Sequence, residues 1–308
     1  MNRDAFVTGR DVDHDGVTGR LFEGFGPDPH HGVLVLHGSG GAGGYEEDYA
    51  RLLAQHGYTA FCVEYFGAPG TPDSLERVSL SYFERAIEWL TERSNVASDR
   101  VGVVGFSRGG EAALLVGSHC QQVGAVVGYV SSGYAFPAPT WMAGIEEEGP
   151  AWLRDGEPVP YLPVEGVADV DMAGYDDVVT TDVDAAALAV ERATPEELER
   201  AAIPVERTDG PVLVVSGDQD TVWPASDLSE VVVERLAAHG HPWPFRHLAS
   251  PDAGHAIRVP YRFDGGDDPE AEHELGGTNA GNARAAADAW QTVLDYLERG
   301  LRNREGFA

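Results

Sequence analysis

The sequence predicts an α/β fold, a mostly parallel sheet flanked by helices with a cap inserted between strands. Short apolar runs alternate with longer segments whose apolar residues recur at helical spacing, which is typical of a parallel sheet wrapped in helices. Residues 133–210 break this alternation with tandem prolines and acidic residues, so we expect a cap or lid over a site there. With 308 residues, we expect a single domain, 1–308.

The charge of the chain restricts its partners. The formal net charge is -30, and all 21 basic side chains are arginine. Such a surface repels nucleic acids and anionic membranes, so we expect neither as a partner and expect a small-molecule substrate. The Debye length falls to about 3 Å at 1 M salt, which screens self-repulsion. We therefore hypothesise a halophilic source.

No apolar run reaches the length of a membrane span, and the first residues lack the apolar core of a signal peptide. We therefore expect a cytoplasmic protein. In that compartment, Cys62 and Cys120 are expected to be reduced, packed thiols. The sequence leaves the oligomeric state open.

Residues 1–30 are expected to form an N-terminal hairpin or extension. Within them, Asp11, Asp13 and Asp15 resemble the opening of a calcium-binding loop. The twelfth position of such a loop is a glutamate, but here it is Phe22, and no amphipathic helix precedes the segment. We therefore favour a hairpin turn and expect no metal and no cofactor.

The core elements follow from apolar patterning. Six runs are expected to be strands: GVLVLHG (32–38), TAFCVEYFG (59–67), RVGVVGFS (100–107), VGAVVGYVSS (123–132), PVLVVSGD (211–218) and FRHLAS (245–250). Segments with helical spacing span 45–57, 80–94, 108–120, 225–240 and 279–301, with a shorter one at 194–202. Gly57 and Gly240 are expected to end two of these helices.

The stretch VGVVGFSRGG brings a serine to a bend between a strand and a helix. Gly105, Ser107 and Gly109 match a Gly-x-Ser-x-Gly turn, whose flanking residues must be small because the helix returns close to the strand. Such a turn presents the serine at a helix N-terminus, where free amides and the helix dipole stabilise developing negative charge. We therefore predict that Ser107 is a nucleophile.

A serine nucleophile needs a base and a third group that orients the base. After Ser107, one predicted strand ends at Asp218 with Asp220 two residues later, and His255 lies in a loop after the last strand. This order, serine then acid then histidine, is the order in folds built around such a turn. We expect Asp220 to orient His255, because it lies beyond the strand end, whereas Asp218 and Asp252 are expected to form turns.

The oxyanion of acyl transfer needs two backbone donors. One is predicted to be the N–H of Arg108. The other is predicted in HGSGG after the first core strand, at Ser39 or Gly40, because glycines tolerate the required dihedral angles. Four residues of the expected cap are equally consistent with lining the pocket and with packing: Pro137, Trp141, Trp152 and Tyr161.

These motifs resemble the α/β-hydrolase superfamily. More narrowly, the chain is similar to the C-terminal catalytic domain shared by acyl-CoA thioesterases and bile acid-CoA:amino acid N-acyltransferase, with dienelactone hydrolase as a more distant relative. The resemblance covers roughly residues 30–300. It is carried by GSGGAGGYEEDYARLLAQHGYTAFCVEYFG, VGVVGFSRGGEAALL, AAIPVERTDGPVLVVSGDQDTVWP, GHAIRVPY and GGTNAGNARAAADAWQTVLDYL.

The resemblance implies an acyl-CoA thioesterase-like serine hydrolase. Ser107 would be acylated, Asp220 would orient the base and His255 would be the base. Serine at position 107 resembles the thioesterase members, in which water resolves the acyl-enzyme. A carboxylesterase or a dienelactone-hydrolase-like enzyme acting on a small ester or lactone is the alternative, and a non-catalytic binding module is a lesser one. Four arginines are candidate cations for the phosphates of coenzyme A, or are packed at the surface and in loops: Arg108, Arg246, Arg258 and Arg262.

Overall fold

An eight-stranded sheet organises the part of the chain that the structure describes. The computed structural model describes residues 7–140, 148–164, 178–261 and 275–302. The strands are β1 Gly9–His14, β2 Val17–Phe22, β3 His30–Leu36, β4 Tyr58–Val63, β5 Val78–Ser79, β6 Val96–Phe106, β7 Val123–Tyr129, β8 Trp152–Arg154, β9 Glu157–Pro158, β10 Val212–Gly217 and β11 Phe245–Ser250. The helices are α1 Tyr45–Gln55, α2 Leu80–Thr91, α3 Arg108–His119, α4 Val178–Arg192, α5 Pro195–Ala201, α6 Ala225–Ala238 and α7 Asn279–Leu301.

The sheet has the order β1-β2-β4-β3-β6-β7-β10-β11. Every neighbouring pair from β4 to β11 is parallel, whereas β1 and β2 are antiparallel to each other and β2 is antiparallel to β4. The six predicted strands and the predicted helices are therefore confirmed. Because β3, β6, β10 and β11 are parallel, the loops that follow them leave the same edge of the sheet, which is the edge where ligands bind in such sheets.

Both faces of the central strands are buried. Val33 and Val35 of β3 belong to a cluster with side chains of α1 and α7, whereas Leu34 and Leu36 belong to a second cluster with side chains of α2, α3 and α6. Successive side chains of a strand point to opposite faces. A strand covered on both faces therefore reads as a continuous apolar run, which is why these strands could be found in the sequence.

The N-terminal segment forms the predicted hairpin. His14 of β1 pairs with Val17 of β2, and Asp15 and Gly16 between them have φ values of 48° and 76°. Two central residues with positive φ define the two-residue turn that matches the twist of paired strands. Over the described ranges, no three His, Cys, Asp or Glu side chains are grouped so that they could hold a metal ion.

The expected cap contains several short elements. Strands β8 and β9 lie within residues 133–210 and form a separate three-stranded sheet with β5, which lies outside that range. Helix α5 begins with a capping box, in which Glu197 N–H donates to Thr194 Oγ1 (3.3 Å) and Thr194 N–H donates to Glu197 Oε2 (2.8 Å). Trp141 lies outside the described residues, and the division into one domain with a cap at 133–210 stays a prediction. None of the described helices combines the length and the apolar character needed to cross a membrane.

Candidate active site

Ser107 forms the bend between β6 and α3. Its backbone has φ 55° and ψ -123°, a conformation that is costly for a residue with a side chain. Hydrogen bonds hold it on both sides, because Ser107 N–H donates to Tyr129 O (2.8 Å) and Ser107 O accepts from Gly110 N–H (2.8 Å) and Glu111 N–H (3.1 Å). The backbone of Ser107 is therefore held at the carboxyl edge of the sheet and at the first turn of α3.

Close backbone approach requires the two flanking glycines. A Cβ atom at Gly105 would overlap the carbonyl oxygen of Gly109, and a Cβ atom at Gly109 would overlap the carbonyl oxygens of Leu36 and His37. Any larger residue at either position would push α3 away from the strands. The contact between helix and strands thus explains the glycine spacing around Ser107.

Asp220 and His255 form a hydrogen-bonded pair. His255 Nδ1 lies 2.7 Å from Asp220 Oδ2, and Asp220 Oδ1 accepts hydrogen bonds from Val222 N–H (2.8 Å) and Trp223 N–H (3.2 Å). The Asp220 side chain is 1% exposed. An ionised carboxylate only accepts hydrogen bonds, so Nδ1 of His255 must carry the proton, and Nε2 is left as the basic nitrogen.

The other two aspartates point elsewhere. Asp218 Oδ1 accepts a hydrogen bond from the Ser226 hydroxyl (2.6 Å) near the start of α6, and Asp252 Oδ2 lies 3.6 Å from a guanidinium nitrogen of Arg284. Their carboxylates are thus engaged away from His255. Among the three aspartates considered from the sequence, Asp220 is the one paired with His255.

Ser107 lines a pocket, and Trp223 in the wall of the same pocket lies beside His255. The Trp223 indole lies in the pocket wall, and its ring centroid is 6.3 Å from that of His255 in an edge-on arrangement. A hydrogen bond from Trp223 Nε1 to Val130 O (2.9 Å) fixes the indole. The described residues that line the pocket are Ser39, Ser107, Arg108, Phe136, Pro137, Ala138, Pro139, Thr140, Val164, Ala185, Ala186, Val222 and Trp223.

Two of the three predicted oxyanion donors border this pocket. Arg108 is the first residue of α3, and an N–H group at that position has no partner within its helix. Ser39 lies in the pocket wall. Gly40 lies in an exposed turn, which is closed by a hydrogen bond from Gly41 N–H to Gly38 O (3.2 Å).

The Arg108 side chain has a different role from the one considered for coenzyme A. Its guanidinium is buried, with Nη1 3.2 Å from Glu111 Oε2 and with Nη2 donating to Phe136 O (2.9 Å) and Pro137 O (3.0 Å). It therefore packs in the pocket wall rather than at the protein surface. Of the other arginines, Arg246 is exposed on β11, Arg258 lies 4.6 Å from the Tyr45 ring centroid and Arg262 is outside the described residues.

Sequence reasoning did not identify the carboxylate that pairs with Arg108. Glu111 is fully buried, and its Oε1 accepts hydrogen bonds from Trp152 Nε1 (2.6 Å) and Phe136 N–H (3.2 Å). Burial raises the pKa of Glu111, and Arg108 and these two donors oppose the increase by stabilising the ionised form. Its position four residues after Ser107 on α3 was the available signal, but spacing alone does not reveal burial.

The cap residues considered from the sequence divide between pocket and packing. Pro137 lines the pocket. Trp152 is buried, and its ring centroid is 5.9 Å from that of Tyr65. Tyr161 packs against the same hydrophobic cluster as Trp152. For Trp152 and Tyr161, the packing interpretation therefore agrees with the structure.

A buried histidine lies beneath the loop that carries Ser39. His37 stacks on Tyr65 with 4.1 Å between ring centroids, and its Nδ1 lies 2.8 Å from Gly38 O. Burial lowers the pKa of His37 to about 4, and the contact with the Gly38 carbonyl opposes this decrease. A neutral imidazole is therefore part of the support for this loop at neutral pH.

A second array of serine, histidine and acid occurs on β10 and β11. Ser216 Oγ lies 2.6 Å from His247 Nε2, and His247 Nδ1 lies 2.8 Å from Glu230 Oε2. Ser216 is completely buried within the pairing of β10 and β11, so no substrate can reach its hydroxyl. Side-chain geometry alone therefore does not identify a nucleophile, which must also face a pocket.

Comparison with known proteins gives a family and a fold. A family model described as BAAT / acyl-CoA thioester hydrolase C terminal matches residues 78–303. Human acyl-coenzyme A thioesterase 1 and human mitochondrial acyl-coenzyme A thioesterase 2 are each 29% identical over 301 residues, which cover 94% of this chain. The chain spans 65% and 56% of the lengths of these two relatives.

A solved structure shares the fold at low sequence identity. A dienelactone hydrolase-like promiscuous phosphotriesterase from metagenomic libraries is 16% identical, with a TM-score of 0.56. The match covers 96% of this chain and 99% of the phosphotriesterase. The α/β-hydrolase fold that the sequence predicts is therefore confirmed.

Proposed function

Because the chain belongs to the BAAT / acyl-CoA thioester hydrolase C-terminal family, we propose that it hydrolyses an acyl thioester with Ser107, His255 and Asp220 as its catalytic residues. The observation that carries the proposal is the His255–Asp220 hydrogen bond of 2.7 Å, at the sheet edge where Ser107 faces a pocket. A thioester of coenzyme A is the proposed substrate, and a small oxygen ester or lactone is the alternative.

In the acylation step, His255 Nε2 accepts the proton of the Ser107 hydroxyl while Oγ attacks the carbonyl carbon of the thioester. The Asp220 carboxylate holds Nδ1–H and stabilises the imidazolium that forms. The tetrahedral intermediate then expels the thiolate, which takes the proton from His255 and leaves as a thiol. The acyl group remains on Ser107 as an oxygen ester.

In the deacylation step, water replaces the thiol. His255 accepts a proton from the water as its oxygen attacks the acyl-enzyme, and the second tetrahedral intermediate expels Ser107 Oγ. The proton on His255 then returns to Ser107, and a carboxylic acid is released. The N–H groups of Arg108 and Ser39 are proposed to donate to the oxyanion in both steps, since both residues border the pocket. Gly40 is the second candidate for the Ser39 role.

The test compares Ser107→Ala with Ser216→Ala at high salt. Each variant removes one serine that could be mistaken for the nucleophile. Ser107 faces the pocket, whereas Ser216 is buried. Ser107→Ala is expected to remove turnover of acyl-CoA thioesters and of p-nitrophenyl acyl esters, and Ser216→Ala is expected to retain it. Undiminished turnover by folded Ser107→Ala contradicts the proposal.

The substrate class is decided by comparing kcat/KM for acyl-CoA thioesters and oxygen esters with the same acyl groups. A higher kcat/KM for the thioesters supports thioesterase activity, and a higher value for the oxygen esters favours the esterase alternative. The cytoplasmic location stays a prediction, since one of the two human relatives is mitochondrial.

A further inference from the structure

The pocket beside Ser107 contains one charged side chain among the described residues that line it, and that side chain is Arg108. The remainder of the wall is apolar except for hydroxyl groups, with Phe136, Val222 and Trp223 as its larger members. A guanidinium next to the nucleophile would ordinarily attract a substrate that carries a carboxylate. Whether Arg108 does so depends on the groups that it already binds.

Both terminal nitrogens of Arg108 already contact protein groups, whereas its buried Nε has no hydrogen-bond partner among the described residues. One terminal nitrogen faces Glu111 Oε2 at 3.2 Å, and the other donates to the carbonyl oxygens of Phe136 and Pro137 at 2.9 and 3.0 Å. The side chains of Arg108 and Glu111 are 9% and 0% exposed. The pair is thus desolvated, and the positive charge of Arg108 is balanced within the protein rather than by solvent.

The contacts of Glu111 indicate that it is the ionised partner of this pair. The indole N–H of Trp152 and the backbone N–H of Phe136 both donate to Oε1, and the Arg108 guanidinium lies 3.2 Å from Oε2 as an ion-pair contact without a hydrogen bond. A protonated carboxyl group would need an acceptor for its own O–H, and these three contacts offer none. The positive charge of Arg108 in the pocket wall is therefore balanced by the negative charge of Glu111 buried behind it.

We propose that Glu111 determines acyl specificity by balancing the charge of Arg108, so that the pocket accepts uncharged acyl groups and excludes acyl groups that end in a carboxylate. This proposal rests on the proposed thioesterase function. A carboxylate that enters an apolar pocket loses its hydration and gains no free cation in return. Glu111 does not touch the reacting atoms, so it acts through Arg108.

The primary test uses hexanoyl-CoA and adipyl-CoA, whose six-carbon acyl groups differ by a terminal carboxylate. At constant high salt, we expect the unmodified protein to have a kcat/KM for hexanoyl-CoA at least about 100-fold above that for adipyl-CoA. Equal values, or a preference for adipyl-CoA, overturn the proposal and leave thioesterase activity intact. Absence of turnover with both, and with the wider thioester panel, overturns the proposed function and this inference together.

Variants then test the role of Glu111 itself. Glu111→Gln removes the balancing charge, and we expect the preference for hexanoyl-CoA to fall at least about tenfold. Glu206→Gln is the control, because it removes a carboxylate from a partly buried pair with Arg235 outside the pocket. We expect its preference to equal that of the unmodified protein. An unchanged preference in folded Glu111→Gln overturns the proposal.

A double variant covers the case in which Glu111→Gln does not fold. Arg108→Met combined with Glu111→Met replaces both charges by apolar groups, a change that buried ion pairs often tolerate. Because the pair already has no net charge, we expect the preference for hexanoyl-CoA to stay within about threefold of the unmodified value. An increase of more than about tenfold would mean that Arg108 had been attracting the adipyl carboxylate, and this result also overturns the proposal.

Discussion

His255 Nδ1 lies 2.7 Å from Asp220 Oδ2, although 35 positions separate the two residues in the chain. The contact follows from the topology, because Asp220 follows β10, His255 follows β11 and these two strands are parallel neighbours. The loops after both strands therefore leave the same edge of the sheet. Ser107 reaches this edge independently, at the end of β6.

Asp220→Asn is expected to lower kcat by about 10³- to 10⁴-fold, because an amide in place of the carboxylate no longer fixes the tautomer of His255 or stabilises its imidazolium. Steady-state turnover of an acyl-CoA thioester measures the effect. Asp218→Asn is the matched control, since Asp218 binds the Ser226 hydroxyl instead, and its kcat should stay within a few-fold of the unmodified value. Similar losses in both variants would count against the assigned role of Asp220.

Much of the sheet could be predicted because its physical causes are local. The central strands are covered on both faces, so burial leaves a continuous apolar run such as VLVL in β3, and helical spacing marks the elements between strands. The bend at Ser107 could also be predicted, since close helix–strand contact excludes side chains at Gly105 and Gly109. The order of Ser107, Asp220 and His255 then follows the order of the strands.

The network around Arg108 could not be predicted, because its partners are brought together only by tertiary folding. Glu111 and Trp152 are 41 positions apart and meet in the core, and the main-chain carbonyls of Phe136 and Pro137 carry no sequence signal. The array of Ser216, His247 and Glu230 is the converse case, in which the residue types suggest a catalytic site that the fold does not provide. Its three side chains would satisfy a search for residue types, and burial alone removes Ser216 from consideration.

Gly109→Ala is expected to destabilise the protein by about 3 kcal/mol or more, because the new methyl group would overlap the carbonyl oxygens of Leu36 and His37. Chemical denaturation at fixed salt measures the change in the free energy of unfolding. At Gly149 a Cβ would meet only Glu76 Oε1, at an ordinary contact distance of 3.6 Å, so Gly149→Ala should change stability by less than about 0.5 kcal/mol. Equal stabilities of the two variants would refute the packing explanation.

His37 is expected to make the fold sensitive to acid. Its pKa is lowered to about 4 in the folded protein from an ordinary value of 6.5. Between these pH values the unfolded chain binds a proton that the folded chain does not, so stability falls as pH decreases from about 6.5 to about 4, by up to about 3 kcal/mol. The free energy of unfolding of His37→Gln should therefore decrease less between pH 7.5 and pH 4. Parallel pH profiles for the two proteins would contradict this.

Salt is expected to stabilise the protein. With a net charge of -30, repulsion between carboxylates opposes the compact state, and ions at molar concentration screen it. The Tm in calorimetry should therefore rise between about 0.1 M and about 2 M potassium chloride. A constant or falling Tm across that range would count against adaptation to concentrated salt.

Covalent labelling of the folded protein by a fluorophosphonate probe, followed by intact mass measurement and peptide mapping, tests whether Ser107 is the activated nucleophile. We expect one adduct, on Ser107, which is absent in Ser107→Ala, slowed in Asp220→Asn and retained in Ser216→Ala. An adduct on another serine, or no adduct on folded protein, would contradict the claim that Ser107 is the activated nucleophile.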